Sequence, residues 1–106
     1  MDDQVTVIAV MKVSSEGDER ALEILRGVIA ATHEEDGCVK YTLHKDKNQP
    51  GAYCIVEKWR SQADLDAHFG RPHMAALAEA VDLLSEAPQI YFCEQVEVGE
   101  SPKAKL

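Results

Sequence analysis

The sequence has few basic residues, no long apolar run and no glycine-rich motif. It carries 11 Lys and Arg residues against 19 Asp and Glu residues, a formal net charge of −8 over 106 residues. This charge repels phosphate backbones and anionic lipid headgroups, so we expect neither nucleic acid nor a membrane surface as partner. No stretch is long enough to span a bilayer. The six glycines stand apart, which excludes a dinucleotide fingerprint or a phosphate-binding loop.

Cysteine is also sparse. Cys38, Cys54 and Cys93 are an odd number at long spacings, which predicts neither a disulfide framework nor a zinc site. We interpret them as small core residues of a cytoplasmic protein, with a reactive thiol as the alternative. The acidic start at residues 1–3 and the short apolar run at residues 5–11 lack the basic flank, length and cleavage site of a secretory signal.

Residue patterning predicts a single α+β domain. Apolar and β-branched alternation predicts strands at residues 5–12, 38–45, 53–59 and 89–98. Helical spacing predicts a helix over residues 18 to about 34 and a second helix, begun at the Ser61 cap and broken at residues 70–72, that Pro88 brings to an end. The order β-α-β-β-α-β is that of a ferredoxin-like fold, with two helices on one face of a four-stranded antiparallel sheet. We place this domain at residues 1–98 and a flexible polar tail at residues 99–106.

The predicted strands are apolar on both faces, although two helices can cover only one. The alternating sets in the first and last strands are Val5, Val7, Ala9 and Met11 against Ile8 and Val10, and Ile90, Phe92 and Val96 against Tyr91 and Cys93. Exposing about half a dozen such side chains, at about 1.5–3 kcal/mol each, would remove most of the stability of about 5–15 kcal/mol typical of a domain. We therefore expect a homodimer in which two sheets pack face to face.

Candidate chemistry concentrates around the third strand. Tyr53, Glu57 and Trp59 share one of its faces, and His68 follows on a short helix that must fold back onto the sheet. A buried Glu57 needs a partner, and His68 is the nearest candidate in this fold; their hydrogen bond is either structural or catalytic. His68 and His73 lie five positions apart with a proline between them, a spacing that does not align two ligands on one helix, so no metal site is expected.

Two other functions fit the pattern poorly. The residues from His33 begin like a metalloprotease helix, but position 37 is Gly where the second His should stand. RNA-recognition domains share the β-α-β-β-α-β order, but they need a basic, Gly-containing third strand that residues 51–59 lack. His33 and His44 are interpreted as surface residues.

Four short runs carry a resemblance to a known family: EDGCVKY at residues 35–41, EKWRS at 57–61, AH at 67–68 and PH at 72–73. With their flanking strands they resemble the antibiotic biosynthesis monooxygenase domain over residues 5–98. The resemblance implies a dimeric α+β barrel that oxygenates quinol, phenolic or polyketide aromatics, without a cofactor, in a pocket between sheet and helices. A haem-degrading relative would have an Asn in the first strand and a His in the last helix; neither is present, so haem is not expected.

Such an enzyme would consume O₂ and a small aromatic molecule with no metal or other cofactor. We assign His68 as the base that removes a phenolic proton and Glu57 as the residue that orients its imidazole. Trp59 and Phe69 would hold the aromatic ring and exclude water, and Tyr41 and Tyr53 would either join them or serve only in packing. The alternative is a non-enzymatic dimeric protein of the same fold, either a small-ligand-binding module or a stress-associated protein.

Overall fold

The computed structural model describes residues 3–106, so the first two residues of the acidic start lie outside the described residues. Its elements in chain order are β1 (Val5–Lys12), α1 (Asp18–His33), β2 (Cys38–Lys45), β3 (Ala52–Trp59), α2 (Gln62–Phe69), α3 (Met74–Val81), β4 (Gln89–Cys93) and a 3-10 helix (Pro102–Ala104). This confirms the predicted α+β order and the break in the second helix. Among the described residues, no helix combines the length and apolar character that a membrane span requires.

The four strands form one antiparallel sheet in the order β2-β3-β1-β4. β1 lies at its centre, paired with β3 from Val5 opposite Trp59 to Lys12 opposite Ala52, and with β4 on its other side. Since neighbouring side chains alternate between faces, this register places Val7, Glu57 and Tyr41 in one row on the face that meets the helices. The predicted ferredoxin-like sheet is confirmed.

The core lies between that face and the helices. α1 buries one apolar stripe at helical spacing, formed by Ala21, Ile24, Leu25 and Val28. The sheet contributes Val7, Ile55 and Trp59, of which Trp59 is fully buried. Burial of each large apolar side chain contributes about 1.5–3 kcal/mol, so these contacts fix how the helices sit on the sheet.

Apolar side chains remain uncovered on both faces of the sheet, near the edge formed by β4. On the outer face, Ile8 is half-buried and lies between Val56 and Tyr91 in neighbouring strands. On the helix side, the helices stop short of β4, so Ile90 stays 50% exposed and Phe92 62% exposed. The sheet therefore has apolar side chains on the face opposite the helices, as the sequence predicts.

The ends of two elements differ from the sequence predictions by more than one residue. β4 ends at Cys93, not at position 98, because Cys93 pairs with Thr6 and β1 begins only one residue earlier. α3 ends at Val81, well before Pro88, and Leu84 forms an isolated bridge with Val13. α1 begins at the predicted residue, Asp18, after the N-cap Gly17, which gives no side-chain cap.

The segment expected to be a flexible tail has local structure. It holds a 3-10 helix capped by the hydroxyl of Ser101. Gln95 binds the end of this segment, because its amide donates to the carbonyl of Ala104 at 2.6 Å and its oxygen accepts from the backbone of Leu106 at 3.1 Å. The polar composition of this segment does not predict these contacts, and its flexibility stays a prediction.

Candidate functional site

A cavity of about 80 Å³ lies between the sheet and the three helices. Its walls are apolar side chains of β1, β3, α1 and α3, and its polar side chains are Tyr41, Glu57 and His68. One water needs about 10–15 Å³, so the space admits a group several times that size. An apolar chamber with a few converging polar groups is the usual form of a small-molecule site.

His68 is held against the cavity by its own helix. α2 begins at the Ser61 cap, whose hydroxyl accepts from the backbone of Asp64, and the guanidinium of Arg60 binds the same aspartate through two hydrogen bonds. The helix places the His68 ring against the indole of Trp59, with centroids 4.5 Å apart. His68 is only 1% exposed, so its ring has little freedom to turn.

The expected hydrogen bond between Glu57 and His68 is absent from the described residues. The indole nitrogen of Trp59 donates to Oε1 of Glu57 at 2.9 Å. Both residues belong to β3 and lie two positions apart, so their side chains share a face and are close enough to form this hydrogen bond. His68 instead uses Nδ1, which lies 2.7 Å from Oε2 of Glu35. Glu57 therefore does not orient His68.

Glu35 is the residue that sequence reasoning missed. It lies just after α1, with its side chain only 6% exposed, and Nε2 of His73 lies 2.9 Å from the same Oε2 that contacts His68. The guanidinium of Arg71 stands 3.4 Å from its other oxygen. Glu35 is the first residue of the first run that resembles the known family, so the sequence did mark it as part of the family pattern. Its position far from His68 in sequence gave no indication that the two side chains would meet.

The structure also brings together two histidines that the sequence spacing separates. The turn after α2 reverses the chain, so His73 caps α3 and does not continue α2, and the helix-face argument no longer applies. Ligand atoms of Glu35, His68 and His73 lie within 4.8 Å of one another. A metal ion there would have to displace both hydrogen bonds beside the cation of Arg71, so the geometry favours a hydrogen-bonded triad.

Burial sets the electrostatics of the site. Desolvation raises the pKa of Glu57 to about 7; the hydrogen bond from Trp59 opposes the shift, and the charge of Glu35 adds to it. Desolvation, reinforced by the charge of Glu57, also raises the pKa of Tyr41. Glu57 can thus exchange a proton near neutral pH, whereas Tyr41 stays a neutral phenol.

The thiol of Cys38 lies near the same carboxylates. Desolvation, with the charges of Glu35 and Glu57, raises its pKa to about 11. A thiol that stays protonated at neutral pH is a poor nucleophile, so Cys38 does not fit the alternative of a reactive cysteine. All three cysteines are unpaired and half-buried.

The remaining predicted site residues separate into two groups. Phe69 lines the cavity and is 50% exposed at its rim, where its ring contacts that of Phe92. Trp59 supports His68 from behind and is not among the lining residues of the described chain. Tyr53 is also outside the lining, because its hydroxyl donates to Asp18 at 2.8 Å. Its role is to tie β3 to the start of α1.

The two other histidines lie on the surface, as expected. His33 is exposed at the end of α1, where Nε2 lies 2.8 Å from the carbonyl oxygen of Tyr41. His44 is exposed on β2, where its ring contacts the hydroxyl of Thr42. Neither lines the cavity within the described chain.

Several known proteins are similar to this chain in sequence and in fold. YgiN of Escherichia coli, named a probable quinol monooxygenase, is 30% identical over 73% of this chain and 84% of its own. Rv0793 of Mycobacterium tuberculosis is 33% identical over 69% of this chain and 71% of its own. The structure of Rv0793 superposes with a TM-score of 0.83, covering 92% of this chain and 99% of that one.

A longer relative is also similar. The protein sll1783 of Synechocystis is 29% identical over 84% of this chain, and the match spans 61% of its length. The family model described as antibiotic biosynthesis monooxygenase matches residues 4–80. The resemblance expected from the four short runs is thereby confirmed. The chain belongs to the antibiotic biosynthesis monooxygenase family.

Proposed function

We propose that the protein is a cofactor-independent monooxygenase that oxygenates a small quinol or phenolic substrate in the cavity between sheet and helices. The observation that carries the proposal is the placement of His68. It lines the cavity while its Nδ1 is engaged with Glu35, which leaves Nε2 as the ring nitrogen available to a substrate. A carboxylate that fixes one imidazole nitrogen so that the other can act as a base is a recurrent arrangement in general-base catalysis.

The chemistry needs a base and a dry site. Nε2 of His68 removes a hydroxyl proton, and the resulting anion is electron-rich enough to reduce O₂. For a quinol, the balance is one O₂ consumed, one oxygen atom in the hydroxylated quinone and the other released as water, with all electrons from the substrate. The apolar walls keep water from quenching the reduced oxygen before it recombines with the ring.

The other residues take roles that their contacts support. Tyr41 and Phe69 contact the substrate ring, and Trp59 holds His68 in place from the opposite side. Glu57 has its pKa raised to about 7 and lines the same cavity, so it serves as a second acid that can return a proton to reduced oxygen. This replaces the orienting role that the sequence suggested for it.

We also propose that the chain acts as a homodimer, with residues 1–98 as the functional unit and residues 99–106 as a flexible tail. The uncovered row of Val56, Ile8 and Tyr91 on the outer sheet face supports a second copy as its cover. An apolar face of this kind is commonly buried in a two-fold assembly.

The proposal is tested by an oxygen-uptake screen against quinols and anthrones, using protein shown by elemental analysis and absorbance to be free of metal, flavin and haem. Binding is followed separately through the fluorescence of Trp59, the single tryptophan of the chain, whose ring stacks on His68. Oxygen uptake that needs added flavin or metal would contradict the proposal. Quenching of Trp59 by aromatic ligands with no oxygen uptake would favour the non-enzymatic ligand-binding alternative.

A further inference from the structure

The three hydrogen-bonded residues beside the cavity form a path toward solvent. The side chain of His68 is 2% exposed and that of Glu35 is 6% exposed, whereas that of His73 is 17% exposed. Both imidazoles contact the same oxygen of Glu35, at 2.7 Å and 2.9 Å. A buried ring on the cavity wall is therefore linked through one carboxylate to a ring that water can reach.

We propose that His73 is the solvent-side member of a proton-exchange triad, in which Glu35 couples it to His68 so that a proton gained in the cavity is matched by one released to water. The inference rests on the proposed function, because it takes His68 as the base. It assigns His73 a positioning role that acts through Glu35, without contact to the substrate.

Charge balance is the first argument for this coupling. Glu35 carries one negative charge, which can compensate one imidazolium ion but not two. The rings of His68 and His73 have centroids 5.8 Å apart, close enough for two positive charges to repel strongly in a buried site. The guanidinium of Arg71, 3.4 Å from Glu35, adds further positive charge against a second proton. One shared proton is thus the favoured state of the triad.

The surrounding groups do not supply the missing compensation. Tyr41 of β2 and Cys38 at the start of β2 face this region, and burial raises the pKa of both, that of Cys38 to about 11, so both stay neutral at neutral pH. Glu57 of β3 lies on the cavity side with a pKa of about 7. Its charge can change in the working range, so its contribution has to be removed in any test of the triad.

The exchange keeps the charge of the triad unchanged, and the site as a whole releases one proton to water. The O–H bond of the substrate breaks, and an N–H bond forms at Nε2 of His68. An N–H bond at Nδ1 of His73 breaks, and its proton passes to water, while Glu35 keeps both hydrogen bonds. When His68 returns its proton to reduced oxygen in the cavity, His73 takes one up from water. No electrons move. Once the substrate is an anion, its charge and that of Glu35 are matched by the imidazolium of His68 and the guanidinium of Arg71, so release of the His73 proton leaves these four charges balanced, and an unbalanced charge would be costly in an apolar site.

The coupling is measured first in substrate-free protein, by following the imidazole resonances of His68 against pH by NMR. The variant His73→Gln keeps an amide donor for Glu35 but cannot carry a proton. We expect the His68 resonances to respond at a higher pH in this variant than in the wild type, since a competing positive charge is gone. His44→Gln, on the exposed side of β2, is the control and should leave the curve unchanged.

The same comparison in a Glu57→Gln background removes the charge of Glu57, and the shift should persist. A His68 curve that moves by less than a few tenths of a pH unit, in protein whose circular dichroism and thermal unfolding are those of the wild type, would overturn the proposal.

Kinetics supply the second measurement. His73→Gln should lower kcat about tenfold with little change in KM, and millimolar imidazole in the medium should restore it, because the buffer replaces a proton carrier but not a structural contact. Full turnover without His73, or a loss that imidazole does not rescue, would overturn the proposal. If the wild type shows no oxygen uptake with any quinol, the proposed function fails, and the NMR comparison still decides the coupling by itself.

Discussion

His68 and Trp59 are adjacent rings with different expected roles. His68 supplies a nitrogen to the cavity, whereas Trp59 packs behind it with a centroid separation of 4.5 Å. We expect His68→Ala to lower quinol-dependent oxygen uptake by about 10²- to 10⁴-fold, the usual contribution of a general base. Trp59→Phe keeps the base but loosens its support, and Trp59 does not line the cavity in the described chain, so it should lower kcat more than it raises KM. The measurement is steady-state oxygen uptake with both variants under one set of conditions.

Circular dichroism and light scattering on the same samples separate catalysis from structure. A folded His68→Ala protein that retains more than about a tenth of wild-type activity would place proton removal on another residue. A His68→Ala protein that unfolds would support the purely structural role for its bond with Glu35, which the buried geometry also permits.

Glu57 makes stability depend on pH in a direction that can be measured. Its pKa in the folded protein is raised to about 7 from an ordinary value of 4.5, so folding holds a proton on it between these values. The folded state therefore loses stability as pH rises from about 4.5 to about 7, by up to about 3 kcal/mol once ionisation is complete. Glu57→Gln keeps an oxygen for the indole of Trp59 and cannot ionise.

We expect the Glu57→Gln variant to be more stable than the wild type at pH 8 and to lose most of that advantage at pH 4.5. Urea unfolding at the two pH values measures the difference. An advantage that grows as the pH falls would contradict the raised pKa of Glu57, and an advantage that is the same at both pH values would show that the ionisation of Glu57 contributes nothing.

At the scale of elements, substitution to alanine should have opposite effects on stability at two glycines, Gly37 in the turn after α1 and Gly27 within α1. A side-chain carbon at Gly37 would overlap Cβ and Cγ of Asp64, which Ser61 and Arg60 hold at the start of α2. At Gly27, on the exposed side of α1, nothing lies within 4 Å of the added carbon. We expect Gly37→Ala to destabilise the protein by about 1–3 kcal/mol and to lower oxygen uptake, because α2 carries His68.

Gly27→Ala is the matched control, and it should stabilise the protein by about 0.5–1 kcal/mol through its higher helix propensity, with activity unchanged. Chemical denaturation of both variants gives the comparison. Equal stability of the two variants would mean that the contact between the Gly37 turn and α2 adjusts freely.

Local sequence patterns predicted the ends of an element well where residues within or next to that element determine them. Val5–Lys12 and Cys38–Lys45 were predicted with the observed ends, because alternation and turn residues mark both. β4 was predicted too long, since its end depends on where β1 begins, which is a property of the pair. α3 was also predicted too long, because the apolar spacing that reaches Leu84 is the same whether that residue continues a helix or pairs with Val13.

The candidate site was predicted in its members more than in its contacts. His68, Tyr41, Phe69 and Glu57 were named from the sequence and do line the cavity. The predicted hydrogen-bond partner of His68, Glu57, was wrong. The observed partner, Glu35, lies 33 positions away in sequence, and no local pattern marks such a pair. Contacts between distant elements depend on the packing of α2 against the turn at Gly37, which only the folded chain defines.

At the scale of the whole molecule, the sheet has an apolar outer face that no described element of the same chain covers. Ile8 lies between Val56 and Tyr91 on the outer face, and all three carry apolar surface that the helices do not reach. We expect a homodimer, with a mass by light scattering of about twice the chain mass of 11.7 kDa at micromolar concentration.

Ile8→Lys tests the face directly, because a charge buried between two apolar sheets lacks a partner and costs several kcal/mol, enough to dissociate a dimer of ordinary affinity. Ala30→Lys adds the same charge on the exposed side of α1 and should leave the mass unchanged. The Ile8→Lys protein should then be a folded monomer, since Lys extends into water once the partner has left. A wild type that is monomeric at micromolar concentration, or an Ile8→Lys protein that remains dimeric, would show that the two copies do not meet through this face.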